Sequence, residues 1–133
     1  MRDVSVSYVV PMHVREDAPA YIDELLAYVA QTCDRVTLTS AARRFGRCPS
    51  TLARDVRRAL SMTFGQLVRH MRMQRAAALL ETGTLCANRV ASYCGYADVG
   101  SFYDAFEHAY GCTPAQWRAR AAVEEARLMP VVA

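Results

Sequence analysis

A pattern that occurs twice along the chain constrains its fold more than any other feature of the sequence. Ala42 and Gly46 recur 49 residues later as Ala91 and Gly95, and an amphipathic segment follows the glycine in each copy. The apolar positions of these segments recur with a spacing of 50 residues, as Leu52, Val56 and Leu60 and then as Phe102, Phe106 and Tyr110. A short helix, a glycine-containing turn and a second amphipathic helix form a helix-turn-helix unit. The repeat therefore predicts an all-α fold with two such units.

Capping residues and apolar periodicity predict the helices around the first unit. A stripe of apolar side chains at helical spacing predicts a helix over about residues 19–32. Thr37 should cap a short helix over residues 38–45, because its side-chain oxygen can accept from the free N–H groups of the first turn. After Gly46, Cys48 stands at the N-cap and Pro49 at the first position of a helix that reaches about Leu60.

A long connector helix should join the two units. Thr63 and Gln66 form a capping box that opens it, and Gly83 ends it after residue 81 or 82. The second unit follows as helices over residues 87–93 and about 99–109, and Thr113 opens a final helix that contains Trp117. We therefore divide the chain into an N-terminal extension (1–18), a first unit with the connector (19–82), a second unit (83–123) and a tail (124–133). Residues 4–8 alternate apolar and polar side chains, which favours a short strand.

The basic residues are concentrated in one part of the chain. Between Arg35 and Arg75, ten arginines stand against a single acid, Asp55, which gives this arginine block a net charge of +9. The remaining 92 residues carry a net charge of −6, so the total of +3 hides the block. No lysine occurs, and arginine suits bidentate contacts to phosphate and guanine. In an ordinary helical protein such a block is a solvated face, but its coincidence with a helix-turn-helix unit favours double-stranded DNA as the partner.

Catalytic, metal and membrane functions find little support in the sequence. The six glycines form no phosphate-binding or nucleophile motif, and the three histidines have no carboxylate or cysteine at ligand spacing. We therefore expect neither an enzyme nor a metal or other cofactor. Five cysteines without C-x-x-C spacing indicate reduced, mostly buried thiols in a cytoplasmic protein. No uncharged run approaches the roughly 18 residues that a membrane span needs.

A set of residues in the connector and the second unit closely matches a known family. The match runs in order through Phe64, Arg69, Arg72, Arg75, Ala76, Leu79, Leu80, Val90, Ala91, Gly95, Tyr96, Asp98, Phe102, Ala105, Phe106, Tyr110, Gly111, Pro114, Trp117 and Arg118. With these residues the chain resembles, over about residues 20–120, the DNA-binding domain of AraC/XylS-type transcription regulators. The resemblance implies seven helices, two helix-turn-helix units joined by a long helix, and action at promoters. Because no ligand-binding domain precedes it, the chain resembles the stand-alone members of the family.

The resemblance also locates the surface that would read DNA in the first unit. The family's base-contacting positions fall on Ser50, Ala53 and Arg54, with Thr51 beside them. Arg54 is the best candidate for bidentate recognition of guanine. Contacts to the DNA backbone, which supply affinity and register but no sequence information, are expected from Arg43, Arg47, Arg57, Arg58, Arg69 and Arg72.

The corresponding face of the second unit departs from the family. Its outward positions are Gly100, Ser101, Tyr103, Asp104 and Glu107. Family members commonly carry a basic residue at the positions of Asp104 and Glu107. Phosphate would repel two carboxylates here, although Asp104 could also accept a hydrogen bond from cytosine N4. We therefore expect the first unit to read the major groove and the second to contribute weakly or through protein contacts, with RNA polymerase as a partner.

Two other functions stay open. The same fold could be a protein-interaction module that binds DNA weakly, with Asp104 and Glu107 against a basic partner such as a polymerase subunit. It could also be a thiol- or metal-responsive regulator that uses Cys48, Cys86 and Cys112, because the dipole at a helix N-terminus lowers the pKa of a thiol there. In each case we expect a monomer.

Overall fold

The computed structural model describes residues 14–128, and these residues form helices and connecting turns without a strand. Seven helices follow one another in the order α1 (Tyr21–Thr32), α2 (Leu38–Arg44), α3 (Pro49–Leu60), α4 (Phe64–Thr82), α5 (Ala87–Tyr93), α6 (Val99–Tyr110) and α7 (Pro114–Leu128). The predicted all-α architecture is confirmed. The strand predicted at residues 4–8 lies outside the described residues. None of these seven helices is both long and apolar enough to cross a membrane.

Local side-chain caps explain where most of the helices begin. Reciprocal capping boxes open α2, α4 and α7 at Thr37, Thr63 and Thr113. Pro49 occupies the first position of α3, directly after the N-cap Cys48. The side chains of the capping boxes accept hydrogen bonds from backbone N–H groups that have no acceptor within the helix. Proline at the first helical position has no N–H group that would need an acceptor. The predicted starts of these four helices are therefore confirmed.

Some helix bounds differ from the predictions. Helix α1 begins at Tyr21 rather than at residue 19, and α6 extends one residue further than predicted, to Tyr110. The largest difference is in α7, which continues to Leu128 through residues that were assigned to the tail from position 124. Alanine, the strongest helix former, occupies four positions between 119 and 126, which favours this continuation. An ion pair of 3.8 Å between Arg127 and Glu124 supports the last turn.

A glycine in the left-handed region shapes the turn of each helix-turn-helix unit. Gly46 follows α2 with a φ of 64°, and Gly95 follows α5 with a φ of 89°. Glycine adopts this conformation without the steric cost that a Cβ atom brings. In both units the N–H after the glycine donates over 2.9 Å to the carbonyl five residues earlier, which closes the turn. The repeat predicted from the sequence is therefore present in both halves.

The described chain forms two compact units that divide inside α4, between Arg72 and Met73. The first unit has an apolar core in which the largest fully buried side chains are Ile22, Leu25, Val29, Leu52, Val56, Leu67 and Met71. Met73 and the following apolar residues of α4 belong instead to the core of the second unit. The division predicted from the sequence assigns α4 wholly to the first unit. That assignment is wrong, because the two halves of α4 bury their side chains in different cores.

An aromatic cluster forms the core of the second unit. Phe102 and Phe106 are fully buried, with ring centroids 5.9 Å apart, and Trp117 lies edge-on to Phe106 at 5.9 Å. Tyr110 lies 4.8 Å from Phe106 and 4.6 Å from Trp117. The two phenylalanines are therefore core positions of the second unit, at the places where Leu52 and Val56 stand in the first. Trp117 and Tyr110 form the edge of the cluster and are half-buried.

Candidate nucleic-acid interface

One face of α3 is buried and the other is open to solvent. The buried face consists of Leu52, Val56, Ala59 and Leu60, as helical periodicity predicts. On the other face Ser50 and Arg54 are exposed, and Thr51 and Ala53 are half-buried. These four residues lie in the first two turns of α3, directly after the turn of the first unit. The structure therefore brings together, on one helix face, the residues predicted to read bases.

Further exposed arginines lie on α3 itself and on the helices before and after it in the chain. Arg43 lies in the last turn of α2, Arg57 and Arg58 lie in the last turn of α3, and Arg69 is exposed on α4. Among residues 14–128, no acidic side chain lies within ion-pair distance of these four or of Arg54. Their charges are not neutralised by the described part of the protein, so they remain available to an external anion.

Tyr21 of α1 contacts both the single acid of the arginine block and one of its arginines. Its hydroxyl donates a hydrogen bond of 2.5 Å to Oδ2 of Asp55. The guanidinium carbon of Arg47 lies 3.9 Å from the centre of its ring. Burial, and then the hydrogen bond to Asp55, raise the pKa of Tyr21 above its ordinary value, so the hydroxyl remains a donor. No sequence pattern signals this contact, because 34 residues separate Tyr21 from Asp55.

Two arginines of α4 are engaged by backbone carbonyls. Nε of Arg72 donates to the Cys33 carbonyl over 2.6 Å, and Nη1 of Arg75 donates to the Tyr93 carbonyl over 3.0 Å. Arg72 is half-buried, whereas Arg69, one turn earlier, is exposed. Arg69 and Arg72, the two residues of α4 that are predicted to contact the DNA backbone, therefore differ in their exposure. Contact of Arg72 with DNA stays a prediction, and the structure gives its side chain a role inside the first unit.

The outer face of α6 carries two carboxylates and no arginine. It consists of the residues predicted for it, and all of them are exposed: Gly100, Ser101, Tyr103, Asp104 and Glu107. In the described part of the chain, neither Asp104 nor Glu107 has a basic side chain within ion-pair distance. Both carboxylates therefore add uncompensated negative charge to the face that corresponds to the basic face of α3.

Asp98 has a different function from these two acids. Its carboxylate accepts from the backbone N–H groups of Gly100 at 3.2 Å and Ser101 at 3.1 Å, and so caps α6. Hydrogen bonds, first from the Ser101 hydroxyl and then from the backbone, lower the pKa of Asp98 below its ordinary value. Asp98 is therefore a structural acid of the second unit.

The cysteines are less buried than predicted. Cys33 and Cys94 are buried, but Cys48 and Cys86 are exposed at helix N-caps and Cys112 is half-buried. The prediction of mostly buried thiols is wrong, because the N-cap residue lies outside the helix and faces solvent. All five are free thiols, and residues 14–128 contain no cluster of three side chains that could hold a metal ion.

Cys48 stands immediately before the predicted base-reading residues. Its sulfur lies 2.9 Å from Oγ1 of Thr51 and 3.5 Å from Oγ of Ser50. Hydrogen bonds with Ser50 and then Thr51 stabilise the thiolate and lower the pKa of Cys48 to about 7. A thiol at the start of α3 is thus partly ionised near neutral pH.

Comparison with known proteins agrees with this geometry. A family model described as a helix-turn-helix domain matches residues 41–120, from α2 into α7. The chain belongs to the AraC/XylS-type helix-turn-helix family. A protein of known structure, a DNA-binding transcriptional dual regulator from Escherichia coli K-12, is 30% identical and superposes with a TM-score of 0.67. That superposition covers 74% of this chain and 93% of the other.

The curated relatives that the chain matches are longer than the chain itself. The transcriptional activator RhaR of Salmonella schwarzengrund is 29% identical in an alignment 112 residues long, which covers 80% of this chain and 40% of RhaR. The transcriptional regulator GadX of Escherichia coli O6:H1 is 35% identical over 88 residues, which are 66% of this chain and 32% of GadX. The chain therefore spans less than half of the length of each of these relatives.

Proposed function

We propose that this chain is a sequence-specific DNA-binding transcription regulator that acts in the cytoplasm on promoter DNA, without catalysis or a cofactor. The observation that carries the proposal is the outer face of α3, the second helix of a helix-turn-helix unit, which carries exposed arginines without acidic partners. The names of the relatives, a transcriptional activator, a transcriptional regulator and a DNA-binding dual regulator, support the same function.

In this proposal the first unit reads the major groove. Arg54 recognises guanine, since a guanidinium can donate to O6 and N7 together, and Ser50, Thr51 and Ala53 contact neighbouring base edges. The exposed arginines around α3 bind phosphates and set the register of the helix on the duplex. They are Arg43, Arg47, Arg57, Arg58 and Arg69. Arg72 also contacts phosphate in this proposal, in addition to the Cys33 carbonyl to which its Nε donates.

The second unit contributes weakly to DNA binding or contacts a protein. Asp104 and Glu107 oppose phosphate, and Val99 and Tyr103 on the same helix are unusually exposed for apolar side chains. An acidic and apolar surface suits a basic partner, for which RNA polymerase is our candidate. If that contact rather than DNA binding is the main function, the chain is an interaction module on the same fold.

Selection from random duplex DNA tests the proposal directly. The chain should select a motif, and a gel shift should show affinity that falls steeply as salt rises, because arginines that bind phosphate release counterions. Weak binding without a selected motif would favour the interaction module. Sedimentation of the free and DNA-bound chain would show whether it acts as a monomer, as we expect.

A further inference from the structure

The single acid of the arginine block is held away from its arginine neighbours. Asp55 lies on α3 next to Arg54, with Arg58 one turn further along, a spacing at which aspartate and arginine readily form an ion pair. Among the described residues Asp55 forms no ion pair. Its Oδ2 accepts the hydroxyl of Tyr21 over 2.5 Å instead. The neutral Tyr21 side chain therefore binds the carboxylate of Asp55, which would otherwise attract a guanidinium.

The ring of Tyr21 contacts one arginine of the block directly. It carries the guanidinium of Arg47 at 3.9 Å from its centre, which is the geometry of a cation–π interaction. Phe45 packs against the ring with the centroids 5.9 Å apart, so the ring has support from α1 and from the end of α2. Arg47 follows the turn glycine and directly precedes the N-cap of α3. The Tyr21 side chain thus contacts both Arg47 and Asp55.

We propose that Tyr21 is a positioning residue of the DNA-binding face, which withholds Asp55 from the arginines of α3 and holds Arg47 beside that helix. The inference rests on the proposed function. Without the phenol hydroxyl, the Asp55 carboxylate would be free to attract Arg54 or Arg58, since opposite charges at contact distance attract each other, weakly at a surface. An arginine paired in this way is drawn from its phosphate or base.

Removal of the hydroxyl alone provides the test. Tyr21→Phe keeps the ring against Phe45 and Arg47 but leaves Asp55 without its donor. Tyr28→Phe is the matched control, because Tyr28 is also on α1 and packs against Phe45 at 5.7 Å, while its hydroxyl makes no hydrogen bond within the described residues. The probe is a duplex carrying the motif that the unaltered chain selects from random DNA.

Tyr21→Phe should weaken binding to this duplex about two- to fivefold, the size expected of one exposed ion pair. The slope of log K against log salt should become shallower by up to about 0.9, the loss of one phosphate contact. Tyr28→Phe should change neither value. Asp55→Asn should then strengthen binding more in the Tyr21→Phe background than in the unaltered chain, because only there is the carboxylate free. An equal gain in the two backgrounds, or no loss in Tyr21→Phe, would overturn the proposal.

A measurement without DNA separates this inference from the proposed function. In the arginine Nε–Hε spectrum, Tyr21→Phe should shift the signal of Arg54 or Arg58, and the added Asp55→Asn should restore it. If both signals stay in place, Tyr21 does not withhold Asp55 and the inference is wrong. If the unaltered chain binds no duplex, the proposed function is wrong, and the spectra still decide the role of Tyr21.

Discussion

At the scale of single residues, substitution of Arg54 tests whether this side chain reads base sequence or only attracts the charge of the DNA backbone. Its guanidinium is exposed in the first half of α3 and has no acidic partner among the described residues. If it pairs with guanine, Arg54→Ala should cost about 1–3 kcal/mol at the preferred site and relax one position of the selected motif. Arg57→Ala removes the same charge one turn later and should weaken all sequences alike. A selected motif that Arg54→Ala leaves unchanged would exclude the reading role.

Cys48 provides a pH-dependent prediction at the same scale. Because the thiolate is the reactive form, and the pKa of Cys48 is lowered to about 7, its alkylation rate should rise through that pH and level off above it. Thr51→Val removes one hydrogen bond to the sulfur and should move the midpoint to higher pH. Timed labelling with iodoacetamide and peptide mass spectrometry measures both midpoints. If the two midpoints coincide, the Thr51 hydroxyl is not a cause of the lowered pKa.

The same labelling tests whether the regulator responds to thiol chemistry. Cys48 directly precedes the predicted base-reading face, so an alkyl group on its sulfur would stand beside the start of α3. Labelled chain that has lost DNA binding, with Cys48→Ser unaffected by the reagent, would support the thiol-responsive alternative. If the labelled chain binds DNA as before, the thiol-responsive alternative is excluded.

At the scale of helices, the sequence was sufficient where the determining contacts are local. Thr37 and Thr63 cap helices through backbone groups only three residues away, so their motifs are visible in the sequence. The extent of α7 was underestimated because acidic residues at 124 and 125 look like a solvated tail. No glycine or proline occurs between residues 115 and 129, however, and alanine propensity is enough to continue the helix.

The helix faces were likewise predictable, but the partners of individual side chains were not. Periodicity alone places Ser50 and Arg54 on one side of α3 and Asp104 on the outer side of α6. The engagement of Arg72 by the Cys33 carbonyl spans 39 residues, and no periodicity within one helix encodes it. Such contacts arise from packing between helices, which is why the candidate site was predicted as a face and not as a set of interactions.

The acidic outer face of α6 gives an element-scale prediction. Replacing Asp104 by Arg together with Glu107 by Lys should raise affinity for any duplex, because both side chains are exposed on that face. The salt slope should steepen by about 0.9 for each phosphate contact that forms. Glu124→Lys with Glu125→Arg makes the same charge change on α7 and controls for net charge. Competition gel shifts at several salt concentrations provide the comparison.

Two other results of the charge reversal would each assign a different role to the second unit. Loss of affinity for the selected motif would indicate that Asp104 accepts from a cytosine N4 group, and our electrostatic interpretation would be wrong. Unchanged DNA binding with loss of promoter activity would instead identify α6 as a surface for a protein partner. Affinity, motif and promoter activity must therefore be measured on the same variant.

At the scale of the whole chain, the repeat predicts two units but not how the connector is shared between them. Met71 and Met73 are both buried, yet they belong to different cores. Helix α4 has apolar residues on more than one side, so its sequence has no single stripe that would assign it to one unit. The assignment depends on which helices pack against each half, and that information is not local.

The separate core of the second unit can be tested through its central ring. Phe106 is fully buried and its ring packs against those of Phe102, Tyr110 and Trp117. Phe106→Ala removes these contacts and leaves a cavity, which should cost about 3–5 kcal/mol. A small domain has only about 5–15 kcal/mol of stability in total, so much of the second unit should unfold at moderate temperature.

Trp117 makes this loss visible in the intact protein. It is the only tryptophan of the chain and lies 5.9 Å from Phe106, so its fluorescence reports the state of this core. The transition followed at Trp117 should move to a clearly lower temperature in Phe106→Ala. Val123→Ala, at a side chain that is 57% exposed on α7, should change stability by no more than about 0.5 kcal/mol and leave the transition in place. If Phe106→Ala melts like Val123→Ala, the aromatic cluster does not stabilise the second unit. Other contacts would then have to hold α6, with its outer face, in place.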